Sequence, residues 1–292
     1  KERVASALRV QVSPSALFKS HLNRNNPHLS QKQSLTIVIV SNGPGELTTW
    51  VRPVVDKLHE KLSIQSSHSY GSIKLKLVLV PCPNANGNEH KVASRWEKFS
   101  EVIQAKNFWK LLINPEKYSS WSKEGIVIFL GGDQFWSVLL SARLKYRSIT
   151  YAEWIARWPY WNDRIAAMSD KVKNYIPRKY QSRCKVVGDL MADLKIETSS
   201  QNILPNGQWV AIFPGSKKAK LAIGIPFFLE VADRLSKILP SCNFLIPVAS
   251  TTNIEQFKYY SSSKNPISKK YLSGIKTVEF DNSFPKKKII TN

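Results

Sequence analysis

No apolar run in the sequence approaches the roughly eighteen residues that a membrane-spanning helix requires. The longest runs, such as Ile126–Leu130, are the size of strands. Cysteine is scarce: Cys82, Cys184 and Cys242 are odd in number, far apart and without CxxC spacing, which argues against a disulfide scaffold and against a cysteine zinc site. The five histidines fall early and unclustered, and no HExxH, GxSxG or EF-hand pattern occurs. Neither a metal centre nor a histidine-based triad is expected. Acids are the other shortage, 21 Asp and Glu against 43 Lys and Arg, a formal charge of +22. Such an excess implies an anionic partner (nucleic acid, lipid headgroups or a phosphorylated substrate) or else a lysine-rich solvated surface. No RRM, KH or zinc-finger pattern is present, so nucleic acid is the least favoured of these partners.

What the chain does have is a core. Of its 292 residues 42% are hydrophobic and 11% aromatic, enough for one large domain or two ordinary ones. Residues 1–34 stand apart, with six Lys and Arg, a single acid (Glu2) and no apolar segment. They read either as the tail of an organellar transit peptide or as a basic disordered arm. Bacterial cytoplasm and plastid stroma both suit that reading.

From Leu35 the pattern is regular. Leu35–Val40 is a continuous β-branched apolar run, suited to a strand buried on both faces, and it ends at the turn cluster Ser41-Asn-Gly-Pro-Gly45. Leu47, Val51, Val54, Val55, Leu58 and Leu62 then recur at helical spacing, with Pro53 placed to kink the helix or mark its first turns. The unit repeats: strand Ile73–Val80 and helix Lys91–Gln104, then strand Ile126–Leu130 and helix Phe135–Leu144. Short strands follow near 148–151 and at Lys185–Val187. Alternation of this kind predicts a parallel sheet covered on both faces. Glu197–Gln208 is polar and breaks the pattern, which restarts with strand Trp209–Phe213, helix Ile223–Leu239 and strand Asn243–Val248. The expected organisation is an arm at 1–34, a Rossmann-like α/β domain at 35–197, a linker at 198–208 and a second Rossmann-like domain at 209–292. The second is shorter than a doubly wound domain requires and reads as incomplete.

In parallel α/β sheets ligands sit beyond the carboxyl ends of strands, so the turns after strands are the places to look. In Ser41-Asn-Gly-Pro-Gly-Glu46 two glycines permit close backbone approach at a helix start, but the pattern is neither GxGxxG nor Walker A, and a tight structural turn would look the same. In Gly131-Gly-Asp133 the carboxylate is placed either to accept a hydroxyl proton or to cap the helix that follows. In Phe213-Pro-Gly-Ser-Lys217 the helix start and its lysines suit a diphosphate, or are a basic solvated turn. Between them, Tyr151–Trp161 holds three of the nine tryptophans. That loop suits an acyl chain, a sugar face, a membrane interface or an ordinary core patch. Lys171–Lys185 adds six Lys and Arg and no acid, which suits an anionic surface.

Taken in order, Ser41-Asn-Gly-Pro-Gly-Glu46, Gly131-Gly-Asp133, Tyr151–Trp161, Val187-Gly-Asp189 and Phe213-Pro-Gly-Ser-Lys217 resemble the lipid-A-disaccharide synthase family, and most of all a divergent branch common in cyanobacteria. These are inverting GT-B glycosyltransferases that use a UDP-linked acylated glucosamine, and the similarity runs from about residue 35 to 250. The resemblance implies that Asn42, Gly43, Gly45 and Glu46 line the acceptor side, with Trp154 and Trp158 echoing a tryptophan pair of the family's aromatic loop. It implies that Asp133 matches the family's candidate base. It implies that Gly215, Ser216 and Lys217 sit near the donor phosphates, Lys217 replacing an arginine and so giving up bidentate pairing while keeping the charge. Where the main family reads Gly-Glu-x-Ser-Gly-Asp and Gly-His-Pro, this chain has Asn-Gly-Pro-Gly-Glu and Gly188-Asp189. The acceptor is therefore left open. The expected partners are a UDP-sugar, a lipid-linked or sugar acceptor and an anionic membrane surface, with no metal or cofactor besides the donor. A non-catalytic GT-B remnant and a nucleotide-sugar epimerase share the architecture and are the alternatives.

Overall fold

The computed structural model describes residues 34–65, 72–83, 85, 87–194, 207–248 and 252–271, with the backbone of 277–281 and 287–291. Residues 1–33 of the basic arm and 198–206 of the linker lie outside the described residues. The chain divides into two compact units near residue 196, the short segment 84–88 grouping with the second.

The first unit is built on seven parallel strands: β1 (Ser34–Ser41), β2 (Ser72–Leu79), β3 (Glu101–Ile103), β4 (Glu124–Phe129), β5 (Arg147–Ala152), β6 (Arg164–Ala167) and β7 (Cys184–Val186). Their order across the sheet is β3-β2-β1-β4-β5-β6-β7. Successive side chains of a strand point to opposite faces, so each apolar run feeds two cores. Ile37, Ile39, Leu75, Leu77, Leu79, Ile126 and Ile128 face one side, where Leu47, Val51, Val54, Val55 and Leu58 cover them. Val38, Val40, Val78, Val80, Val127 and Phe129 face the other, under Phe108, Leu111, Leu112 and Leu140. Each such side chain contributes about 1.5–3 kcal/mol on burial. The sheet is doubly wound, and the chain reverses direction across it between β1 and β4.

The helix after β1 enters by an unusual route. Pro44–Glu46 is helical, Leu47–Val51 is a π-turn, and helix α1 (Arg52–Gln65) continues from it. Pro53 has no N–H to give the carbonyl four residues back, and its ring crowds that carbonyl. The backbone answers with the wider turn, in which Arg52 N–H donates to Leu47 O.

The expected helix Lys91–Gln104 is replaced by a short helix α2 (Glu89–Ser94) and strand β3. Glu101 sits opposite Lys76 on β2, and the two form an ion pair of 2.8 Å. Lys76 is buried; it also donates to the Ser120 carbonyl at 2.8 Å and to Ser119 Oγ, and lies 4.6 Å over the Trp121 ring. A cation that needs all these partners in one place draws Glu101–Ile103 into the sheet against local helix propensity. Strand β6 is not signalled by the sequence, because Arg164-Ile-Ala-Ala167 is short and small, packing with Ala152 and Cys184 in a minor core; its neighbours β5 and β7 lie where the strands near 148–151 and at Lys185–Val187 are expected.

The second unit is described by itself. Strands β8 (Gln208–Ala211) and β9 (Cys242–Pro247) are parallel neighbours, and β10 (Thr277–Asp281) and β11 (Lys287–Thr291) add antiparallel strands in the order β10-β11-β9-β8. This sheet is therefore mixed, with the expected parallel βαβ unit at its start. The crossover helix Lys218–Ile238 begins five residues before the Ile223 anticipated from apolar spacing. Its residues Leu221, Ile225, Leu229 and Ala232 pack on Ile212, Phe244, Ile246 and Val248. Among the described residues no helix is long and apolar enough to cross a membrane.

Candidate functional site

The switch between β1 and β4 brings two of the sequence's turns into contact. Gly131 and Gly132 follow β4 with φ of 154° and 102°, the second well inside the region that side chains avoid. A Cβ on Gly131 would lie 2.8 Å from Glu46 Cβ and 3.0 Å from Ser41 Oγ. One on Gly132 would lie 2.8 Å from Asn42 Nδ2. Glycine is needed here because the two post-strand loops lie directly against each other. The Glu46 carboxylate also folds back over Gly43, where a Cβ would displace it. Gly45 differs: it is exposed, with open space where a Cβ would stand, so the fold itself makes no demand for glycine.

Two buried polar atoms at this switch have no hydrogen-bond partner, Ser41 Oγ and Asn42 Oδ1. Buried polar groups are nearly always paired, so each orphan marks a place where water or a ligand is called for. Asp133 is exposed and caps the helix Gln134–Leu144, Phe135 N–H donating to its Oδ1 at 3.0 Å. Both sequence readings of this residue therefore start from a carboxylate with one oxygen engaged in the cap.

The aromatic loop after β5 is tied to the same edge. Buried Gln134 donates through Nε2 to the Ile155 carbonyl at 2.7 Å and accepts Arg157 N–H on Oε1 at 2.8 Å. Trp154 is 76% exposed, whereas Trp158 is half-buried, its Nε1 lacking a partner, and packs on Phe135 at 5.9 Å and Trp161 at 5.2 Å. Ring contacts continue from Trp109 through Trp136, Phe135, Trp158, Trp161 and Tyr160 to Tyr180. Lys179 and Arg183 lie over the last ring.

The sequence singled out Asp133 and passed over Glu153, which stands just past the carboxyl end of β5 by the same rule. Burial pushes its carboxyl above the usual glutamate range, the charges of Asp189 and Glu46 push the same way, and a hydrogen bond with the Trp154 side chain opposes them. Neighbouring Tyr151 is buried, packs edge-on against Trp50 at 5.4 Å, and has its hydroxyl pushed up to about 12, chiefly by burial. Among the described residues no group of three His, Cys, Asp or Glu is arranged to hold a metal ion.

Gly215, Ser216 and Lys217, expected on the donor side, belong to the second unit. Gly215 has φ of 97°, and a Cβ on it would lie 3.0 Å from Lys220 Cβ. Lys217 holds the N-cap position of the Lys218–Ile238 helix and makes no side-chain cap, with Lys218 and Lys220 in its first turn.

No family model matches the chain. Over 149 residues it is 26% identical to the lipid-A-disaccharide synthase of Aeromonas hydrophila, covering 44% of this chain and 39% of that protein. Over 188 residues it is 26% identical to that of Idiomarina loihiensis, covering 58% and 48%. The chain thus spans less than half the length of these curated relatives. Among solved structures it is similar to the UDP-GlcNAc 2-epimerase of Methanocaldococcus jannaschii, at a TM-score of 0.47 and 12% identity over 78% of this chain and 68% of that one. It is also similar to the ADP-heptose heptosyltransferase II of E. coli, at 0.36 and 12% over 80% and 74%. By sequence, the chain is similar over part of its length to lipid-A-disaccharide synthases.

Proposed function

We propose that the chain belongs to an inverting GT-B glycosyltransferase that moves a sugar from a UDP-sugar to a lipid-linked or sugar acceptor at a membrane surface. The observation that carries the reading is the β1/β4 switch, where two glycine loops converge on Glu46 and leave Ser41 Oγ and Asn42 Oδ1 unpartnered. Asn42, Gly43, Gly45 and Glu46 meet the acceptor in this reading, with Trp154 and Trp158 against its sugar face or acyl chains. Its hydroxyl proton passes to a carboxylate of this edge, Asp133 being the one that the order of motifs singles out. Gly215, Ser216 and Lys217 meet the donor, where lysines and helix N–H groups neutralise the leaving diphosphate without a metal. Exposed rings and Lys179 and Arg183 face anionic headgroups on the cytoplasmic or stromal side of a membrane.

The test is calorimetric titration with UDP, followed by incubation of a UDP-linked acylated glucosamine with an acylated glucosamine in mixed micelles and mass spectrometry of the products. A disaccharide with UDP released supports the reading. A sugar nucleotide epimerised without an acceptor supports the epimerase alternative, and absence of UDP binding supports the remnant.

A further inference from the structure

The carboxyl edge of the first sheet inverts the charge of the chain as a whole. The five residues that follow each of β1, β4, β5 and β7 include one acid apiece, Glu46, Asp133, Glu153 and Asp189, and a single base, Arg157. The turns after β2, β3 and β6 add only Asp170, Lys106 and Lys171. The whole chain has 21 acids against 43 bases.

Packing draws these turns together. The Cβ and Cγ of Glu46 lie against Gly131, two residues before Asp133, and its carboxylate lies over Gly43. At the end of β5 the Tyr151 hydroxyl donates to the Gly188 carbonyl at 3.3 Å, which ties the turn of Glu153 to that of Asp189. An independent sign of a ligand lies in the same place. Ser41 Oγ is fully buried and has no hydrogen-bond partner. A Cβ on Gly131 would lie 3.0 Å from it and 2.8 Å from Glu46 Cβ, so this orphan and the Glu46 stem meet at one spot. Asn42 Oδ1 is a second buried orphan, its amide standing against Gly132.

Ionised carboxylates and an amide oxygen accept hydrogen bonds and give none. A phosphate would bring them further acceptors and a like charge, whereas hydroxyls and an amide N–H bring donors. We infer that this edge receives an uncharged sugar bearing hydroxyls and an amide, Glu46 and Asn42 accepting from it with Ser41 as a further partner, and that it rejects the same sugar carrying a phosphate. The phosphorylated substrate that a charge of +22 invites is thus turned away here. The lysines that suit a phosphate, Lys217, Lys218 and Lys220, belong to the second unit. That the sugar at this edge is the acceptor rests on the glycosyltransferase reading.

The experiment titrates the chain with N-hexanoylglucosamine and with N-hexanoylglucosamine 1-phosphate by NMR, and with UDP by calorimetry. Wild type, Glu46→Gln and Ser41→Ala are compared, with the thermal unfolding midpoint of each. The uncharged sugar is expected to bind at least about tenfold more tightly than its phosphate. Glu46→Gln, which keeps the shape and removes the charge, is expected to narrow that gap to about threefold, and added salt to narrow it too. Ser41→Ala is expected to weaken the uncharged sugar several-fold without lowering the midpoint, because the hydroxyl it removes has no partner within the fold. A phosphate that binds as tightly as the uncharged sugar, a gap that Glu46→Gln leaves unchanged, full affinity in Ser41→Ala, or no binding of either sugar overturns the assignment. UDP binding alongside any of these leaves the function standing. A chain that takes the uncharged sugar as described but does not bind UDP overturns the glycosyltransferase reading and leaves the sugar edge in place.

Discussion

Gln134 and Ile155 are joined by a hydrogen bond of 2.7 Å from the glutamine Nε2 to the main-chain carbonyl. Through it, and through the matching bond from Arg157 N–H, the start of the Gln134–Leu144 helix fixes the course of the aromatic loop. Asp133 and the Trp154–Trp158 segment are therefore positioned by one buried amide between them.

Replacing Gln134 by alanine leaves the Ile155 carbonyl and Arg157 N–H without these partners, at a cost of about 1–3 kcal/mol. The expected outcome is a lower unfolding midpoint together with faster tryptic cleavage after Arg157. Unchanged cleavage would mean that the loop is held by its ring contacts alone.

Gly132→Ala places a Cβ 2.8 Å from Asn42 Nδ2 at a φ of 102°. Strain of this kind costs about 1–3 kcal/mol. Thermal unfolding is expected to shift down, and a crystal structure of the variant to show Asn42 displaced. Gly45→Ala, in open space, is the internal control and is expected to leave stability near the wild type.

Much of this architecture was legible in the sequence. Leu35–Val40 and Ile126–Leu130 are short, β-branched and largely apolar runs that end at glycine turns, the pattern of strands covered on both faces. Glu101–Ile103 was not legible as a strand, because its reason is Lys76, twenty-five positions away and buried beside it. Nor was the reach of the switch visible: Gly131 and Glu46 are adjacent only once β1 and β4 pair. Glu153 was visible as a residue after a strand, but its raised affinity for a proton comes chiefly from burial, to which Asp189 and Glu46 add from the turns after two other strands.

Lys76→Ala removes the cation that Glu101 and the Ser119–Ser120 carbonyl and hydroxyl surround. Breaking a buried pair of this kind costs about 3–5 kcal/mol, less here because Glu101 is part-exposed. About 2–3 kcal/mol is expected. Urea unfolding measures it, and hydrogen exchange of Val102 and Ile103 amides is expected to rise more than that of β1. Lys76→Met, which restores packing without charge, is expected to lose less.

A carboxyl whose folded-state affinity for protons is raised makes the folded protein bind more protons than the unfolded one. Glu153 therefore lowers stability as pH rises from the ordinary glutamate value through its own, and the loss persists above that. Glu153→Gln is expected to be more stable than the wild type near pH 8 and equal to it near pH 4. Equal midpoints at both pH values by thermal unfolding would contradict this.

Vesicle binding tests the aromatic edge. Trp154 and Tyr160 are 76% and 67% exposed in a loop beside Lys179 and Arg183. Sedimentation with anionic phosphatidylglycerol vesicles is expected to weaken several-fold in Trp154→Ser and to fall with added salt, whereas phosphatidylcholine vesicles leave most of the protein in solution. Retention of full binding by Trp154→Ser would move the contact elsewhere.

The π-turn at Leu47–Val51 fits one residue more into the helix entrance than α spacing holds. Removing one residue there would restore that spacing and rotate everything before it by about 100° around the helix axis, carrying Glu46 away from Gly131. An exchange of side chains leaves the number of residues, and hence the direction of Glu46, as it was. The aim of this carboxylate is thus stored as a length of chain, and insertions and deletions are the changes by which it would be gained or lost.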